Sequence, residues 1–139
     1  MLYDPTRQKF VPHTPEEQVR QSLLKYLTET LKIPIILIKT EFALSAIAPK
    51  EKGRVDIIVA DPSEFDLQKA YLLAECKAKN GSQNTAGKDF LALQSQVNKY
   101  LRILHPKHII LALGNDWRFL SISADGRRYE SVPAIPVFS

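Results

Sequence analysis

The sequence predicts an α/β (α+β) fold in which a mixed central sheet is flanked by helices and followed by a C-terminal β-hairpin. Two long segments have apolar residues at helical spacing, and three short segments rich in β-branched or aromatic residues lie between them. A fourth apolar segment follows the second helix, so the core elements run α-β-β-β-α-β. The length of 139 residues suits one hydrophobic core, and residues 1–139 are therefore expected to form a single domain.

The first helix is predicted over residues 14–31. Thr14 is a favoured N-cap residue, Pro15 is favoured at the first helical position, and Glu17 stands where a capping box has its glutamate. The preceding residues, 1–13, contain two prolines and no period, so they are expected to form an arm that lies over the fold. The residues that predict the buried face of the helix are Val19, Leu23, Leu24, Leu27 and Leu31.

Three strands are predicted between the helices, at residues 35–44, 55–60 and 70–79. A charged turn at residues 49–54 separates the first two strands, and Asp61-Pro62 ends the second. The connection between the second and third strands is short, which makes them antiparallel neighbours.

The second helix is predicted over residues 88–104 and ends before Pro106. The polar segment 80–87 in front of it is expected to be mobile. Residues 108–114 then form a buried strand, and the tail up to residue 132 forms a hairpin with Asp125-Gly126 in its turn.

The composition excludes several classes of protein. With 45% hydrophobic and 24% charged residues, the chain is an ordinary globular protein, and its net charge of +4 allows contact with nucleic acid without demanding it. The single cysteine excludes an intramolecular disulfide, and the three histidines have no spacing that suits zinc. The N-terminus lacks the layout of a signal peptide, and the longest apolar run is too short to cross a bilayer. A cytoplasmic protein with no membrane role is expected.

Charged residues interrupt two of the predicted strands. In YLLAECKAK, residues 71–79, side-chain alternation puts Glu75 and Lys77 in an apolar row, and Asp56 interrupts VDIIVA in the same way. Antiparallel pairing would bring Asp56, Glu75 and Lys77 together at one edge. Two close carboxylates repel each other, and a hard divalent cation such as Mg²⁺ resolves that conflict. Lys77 would then lie near the metal-bound water and a phosphate oxygen.

These residues carry a resemblance to a known family. Asp56 followed nineteen residues later by Glu75-Cys76-Lys77, in the order α-β-β-β-α-β, resembles the PD-(D/E)XK nuclease superfamily with its restriction-endonuclease-like core. The opening YDPTRQKFVPHTPEEQVRQSLLKYL resembles the N-terminal nuclease domain of type I restriction enzyme R subunits, in a small stand-alone form. The resemblance covers the chain from Tyr3 to about Asn115.

The resemblance implies a magnesium-dependent DNA endonuclease. By that likeness, Mg²⁺ or Mn²⁺ would be bound by Asp56, Glu75 and the backbone carbonyl of Cys76. Lys77 would be the catalytic lysine, and Gln96 would support Lys77 or the phosphate. The family motifs also match Glu17 in the first helix and Tyr100, which completes a Q-x-x-x-Y pattern with Gln96.

The chain departs from the family pattern in two places. Val55 stands before the aspartate where the superfamily pattern has proline. No ATPase motif occurs, so the ATP-driven translocation of type I enzymes cannot reside in this chain. The implied partners are DNA and a separate motor or specificity subunit, and an oligomer is possible.

Other interpretations of the same residues remain open. Asp56, Glu75 and Lys77 could form a charged patch at strand ends. Glu17 could serve only as a helix cap, and Arg20 could make a surface ion pair in place of a phosphate contact. Gln96 and Tyr100 could be ordinary helix residues. The alternative function is a non-catalytic module that retains the nuclease fold and binds nucleic acid or a partner.

Overall fold

The computed structural model describes residues 1–63, 67–79 and 86–139, and eight strands and two α-helices lie within them. The helices are α1 (Pro15–Lys25) and α2 (Ala86–Tyr100). The strands are β1 (Leu2–Asp4), β2 (Lys9–Val11), β3 (Ile38–Ala43), β4 (Arg54–Val59), β5 (Leu72–Lys77), β6 (His108–Leu113), β7 (Asp116–Ile122) and β8 (Tyr129–Val132).

Six strands form one mixed sheet in the order β3-β4-β5-β6-β7-β8. Strands β5 and β6 pair in parallel, and α2 lies in the connection between them, as a parallel crossover requires. All other neighbours in the sheet are antiparallel. The predicted order of elements, the mixed sheet and the C-terminal hairpin are confirmed.

The two helices cover opposite faces of the sheet. The apolar face of α1 packs on one face, where Ile57 and Ala74 are fully buried. The apolar face of α2 packs on the other, against Ile58 and Leu73. Both cores follow from strand alternation, since neighbouring residues of β4 and β5 point to opposite helices.

The start of α1 agrees with the prediction, but its capping box is incomplete. The Thr14 hydroxyl accepts a hydrogen bond from the Glu17 N–H at 3.1 Å, and Pro15 opens the helix. A capping box would also have the Glu17 carboxylate accept the Thr14 N–H, but that N–H donates to the Pro12 carbonyl instead. The regular α-helix also ends at Lys25 and continues as a π-helical turn over Tyr26–Thr30.

The N-terminal residues form structure that the sequence did not predict. Strands β1 and β2 pair as a small antiparallel hairpin. The buried Asp4 carboxylate accepts hydrogen bonds from Thr6 and Arg7, which ties the turn together. The Thr6 and Thr40 hydroxyls lie 2.8 Å apart, so the hairpin is fastened to β3.

The remaining differences concern the ends of elements. Residues 35–37 form a 3₁₀ turn after Pro34, so β3 begins only at Ile38. The second helix ends at Tyr100, four residues earlier than predicted. Gly126 has φ +73° in the hairpin turn, a conformation that favours glycine. Residues 80–85 of the polar segment lie outside the described residues, so their expected mobility stays a prediction.

Within the described part of the chain, no helix is long and apolar enough to cross a bilayer. The cytoplasmic location stays a prediction.

Candidate active site

The site lies where β4 and β5 stop pairing through their main chains. The pairs run from Val59–Leu72 to Ile57–Ala74. One residue further on, side chains take over: the Asp56 N–H donates to Glu75 Oε1 at 2.9 Å. The Cys76 N–H donates to Asp56 Oδ2 at 2.8 Å. These bonds satisfy two N–H groups that have left the ladder, and they fix both carboxylates at the opening of the sheet.

Glu75 is an almost fully buried carboxyl group, with 2% of its surface exposed. Burial, followed by the negative charge of Asp56, raises the pKa of Glu75 to about 9. The hydrogen bond from the Asp56 N–H and the charge of Arg20 act in the opposite direction and are the smaller effects. The carboxyl therefore keeps its proton at neutral pH unless another cation comes close.

A cavity of about 260 Å³ opens over these carboxyl groups. It brings together five residues predicted from the sequence: Asp56, Glu75, Cys76, Lys77 and Gln96. Glu16, Ala92 and Leu93 complete its lining. The predicted residues Glu17, Arg20 and Tyr100 do not line it.

Lys77 extends from β5 to the first turn of α2. Its ammonium group donates to Asp89 Oδ1 at 3.2 Å, and 42% of the side chain is exposed. Asp89 is buried, and its second carboxylate oxygen has no hydrogen-bond partner within the described residues. Sequence reasoning missed Asp89, because an acid in the first turn of a helix is ordinarily explained by the helix dipole.

Arg20 is buried at the centre of an acidic cluster, so its ion pairs do not lie on the surface, where one of the open interpretations placed them. The guanidinium contacts Glu17, Glu41 at 2.7 Å and Asp56 at 3.1 Å, and only 5% of the residue is exposed. Burial acts to lower the pKa of Arg20, but the surrounding negative charges, Asp56 first, raise it above the ordinary value. Glu41 meets the guanidinium from a strained backbone with φ +52°. Arg20 thus holds Asp56 in place, and a contact with phosphate stays a prediction.

Glu16 and Glu17 point to different surroundings although they are neighbours. The Glu17 carboxylate is buried among Arg7, Arg20 and Gln21, which all donate to it. Glu16 is exposed and lines the cavity with Asp56. Burial, and then the charge of Asp56, raise the pKa of Glu16. Sequence reasoning missed Glu16 because the capping-box spacing drew attention to its neighbour.

Gln96 and Tyr100 form a hydrogen-bonded chain that ends on β4. Gln96 Nε2 donates to the Tyr100 hydroxyl at 2.8 Å, and that hydroxyl donates to the Arg54 carbonyl at 2.7 Å. Tyr100 is buried, and burial, followed by the charge of Glu75, raises its pKa to about 12. Tyr100 therefore anchors α2 to the start of β4, and this leaves Gln96 at the rim of the cavity.

The donor set of the cavity suits a hard cation. Asp56, Glu75 and Glu16 offer carboxylate oxygens, and Mg²⁺ is commonly held by one or two carboxylates together with waters and phosphate oxygens. Among the described residues, no group of three or more His, Cys, Asp or Glu side chains is arranged to hold a metal ion. The fit accordingly rests on the buried Glu75 carboxyl beside the partly buried Asp56, because ionisation of Glu75 there requires a nearby positive charge.

The fold and these residues define a class of protein. A helix, three antiparallel strands, a second helix and a parallel fourth strand, with acids at the opening of the sheet, are compatible with a restriction-endonuclease-like core. The model of the family described as type I restriction enzyme R protein N terminus matches residues 15–136, and the chain belongs to this family. No curated protein and no solved structure matches the chain.

Proposed function

We propose that the chain is a metal-dependent deoxyribonuclease that hydrolyses phosphodiester bonds of DNA. The observation that carries the proposal is the Asp56–Glu75 pair, in which Glu75 is buried and Asp56 partly buried, with both carboxyl groups bound to main-chain N–H groups beside Lys77 and Gln96. Structural carboxylates of this kind are usually paired with cations, whereas Glu75 forms no ion pair with a cation among the described residues: it accepts the Asp56 N–H and lies beside an acid that repels it. Membership of the restriction enzyme family supports the same activity.

The side chains of this cavity have separate roles in the proposed reaction. Mg²⁺ or Mn²⁺, when bound, would supply the charge that balances the carboxylates and polarises the phosphate and water. Asp56, Glu75 and the Cys76 carbonyl would hold the ion, and Glu16 could reach its bound water. Arg20 orients Asp56 by its ion pair at 3.1 Å.

Lys77 and Gln96 would act on the phosphate and the attacking water. The exposed ammonium of Lys77 can leave Asp89 and stabilise negative charge as it develops. The Gln96 amide lies at the same cavity and can hold a water or a phosphate oxygen. No ATPase motif occurs in residues 1–139, so this domain would cut DNA without moving along it by ATP hydrolysis.

A non-catalytic binding module is the second candidate function. Two observations favour it: Arg20 already occupies an oxygen of Asp56, and Asp89 already pairs with Lys77. A protein that only binds nucleic acid or a partner could keep both ion pairs intact.

Cleavage assays separate the two functions. Purified protein is incubated with supercoiled plasmid, single-stranded DNA and branched DNA in Mg²⁺, in Mn²⁺ and in EDTA. We expect cleavage of at least one form with metal and none with EDTA. Glu75→Gln should abolish it, whereas Glu130→Gln, which removes an exposed carboxylate from β8, should cut like the parent. Equal activity of parent and Glu75→Gln would contradict the proposed nuclease.

A further inference from the structure

The centre of the proposed site is poorly suited to attract a nucleic acid by itself. Its cavity is lined by three acids, Glu16, Asp56 and Glu75. Two cations of the site are already engaged, since Arg20 contacts three carboxylates and Lys77 pairs with Asp89. Affinity for a phosphate backbone comes from cations that release counterions on binding, so other cations must supply it.

A second cavity adjoins the first. It has a volume of about 430 Å³ and shares Ala92 and Gln96 with the acidic cavity, so the two cavities lie side by side, and we name them together the groove. Three cations line this second cavity, and we name them the basic arm: Lys52, Lys99 and Arg102. One acid, Glu51, lies among them.

The basic arm is available for an anionic partner. All three of its side chains are exposed. Within the part of the chain that the structure describes, none of them forms an ion pair with a carboxylate. Arg102 Nε donates only to the Lys99 carbonyl at 3.3 Å, which leaves the terminal nitrogens of the guanidinium free to bind phosphate. The arm therefore carries positive charge that is not ion-paired within the described residues.

Tyr100 fixes the position of the basic arm relative to the acidic cavity. Lys52 precedes Gly53, whose φ of +108° favours glycine and whose carbonyl accepts from the Leu44 N–H at 3.1 Å. The next residue, Arg54, accepts the hydrogen bond of the Tyr100 hydroxyl, and Lys99 directly precedes Tyr100 on α2. The loop and the helix that carry the arm are thus held together beside Gln96.

We propose that the basic arm binds the phosphodiester backbone of one nucleic-acid strand next to the acidic cavity, so that the strand runs along the groove past Gln96 to the scissile position. Charge complementarity and the shared lining support this occupant. This inference rests on the proposed function, because a scissile position exists only if the chain cuts DNA. Binding of the strand to the basic arm can nevertheless be measured without cleavage.

The test is a salt titration of binding with a matched pair of double variants. Fluorescence anisotropy measures the Kd of a labelled oligonucleotide, single-stranded and duplex, over a series of KCl concentrations in Ca²⁺ buffer. The arm variant is Lys99→Ala with Arg102→Ala. The control is Arg127→Ala with Arg128→Ala, which removes the same charge from the β7–β8 turn. This turn lies at the far end of the sheet, because His108 pairs with Ser121, whereas Leu113 pairs with Lys77 near the site.

The arm variant should weaken binding at least tenfold and lower the salt slope by about one for each cation removed. The control should change both much less. Equal losses in the two variants would mean that net charge alone matters, and would overturn the inference. So would an unchanged Kd in the arm variant, or a parent that binds an acidic peptide but no oligonucleotide. Binding that depends on the arm without any cleavage would overturn the proposed nuclease and leave this inference standing.

Discussion

The side chain of Glu75 accepts the Asp56 N–H at 2.9 Å, at the point where β4 and β5 leave the main-chain ladder. The side chain of Asp56 in turn accepts the Cys76 N–H at 2.8 Å. Two acids that repel each other are therefore held together because each carboxylate accepts a main-chain N–H of the other acid's strand. Their position follows from the pairing of the two strands. Substitutions of these acids and of the residues around them would show what each contributes to stability and cleavage.

The first prediction is that Glu75 makes the metal-free protein less stable as pH rises. Its folded-state pKa of about 9 exceeds its ordinary value of 4.5. Between these values the folded protein binds a proton that the unfolded chain does not, so this contribution to stability is complete below about pH 4.5 and is lost as pH rises through 9. Glu75→Gln should be more stable than the parent by several kcal/mol at pH 8 in EDTA, because each pH unit between 4.5 and 9 costs the parent about 1.4 kcal/mol. Urea unfolding across pH measures the difference, and parallel pH curves for the two proteins would contradict it.

Lys77 should contribute to cleavage far more than to binding. Lys77→Ala should lower the cleavage rate by about 100-fold or more, because the ammonium acts on charge that develops in the transition state. Affinity for DNA should change little, since many phosphate contacts sum to it. Lys77→Arg should cut poorly, because a planar guanidinium replaces a compact ammonium. Efficient cutting by Lys77→Ala would show that Lys77 has no role in the reaction, even if the protein is a nuclease.

Glu16 and Glu17 offer a matched pair of substitutions. Glu17→Gln removes a buried negative charge from Arg7 and Arg20, and should lower the free energy of unfolding by about 2 kcal/mol. Glu16→Gln changes an exposed residue and should leave stability unchanged while it weakens metal-dependent cleavage. Thermal melts and plasmid cleavage below the Tm of both variants measure the two effects. The reverse pattern, with activity lost only in Glu17→Gln, would restore Glu17 to the site.

Tyr100 should prove to be an anchor for α2. Tyr100→Phe keeps the ring but leaves the Arg54 carbonyl without its buried donor, so it should lower the free energy of unfolding by about 1 kcal/mol. Tyr100→Phe should weaken DNA binding only slightly, because its effect on DNA is indirect, through loosening of the loop next to Arg54. A variant with parental stability and strongly weakened DNA binding would instead support direct contact between Tyr100 and the substrate.

Much of the fold could be predicted because its signals are local. The Thr14-Pro15 start of α1, the apolar runs of the strands and the glycine of the last hairpin each follow from neighbouring residues. The N-terminal hairpin escaped prediction because its strands have three residues each, too few to show a period. It depends on contacts with distant partners, such as that between Thr6 and Thr40.

By itself, the sequence determined the order of the core elements and the placing of Asp56, Glu75 and Lys77 on neighbouring strands, since alternation along a strand and spacing along a helix need no knowledge of distant contacts. Only the tertiary structure decided that Glu16 faces the cavity, that Arg20 is buried among three carboxylates and that Asp89 forms an ion pair with Lys77. The physical reason is that neighbours on a helix point about 100° apart. Which of them meets a strand depends on how the helix is rotated on the sheet, and packing of the whole core sets that rotation.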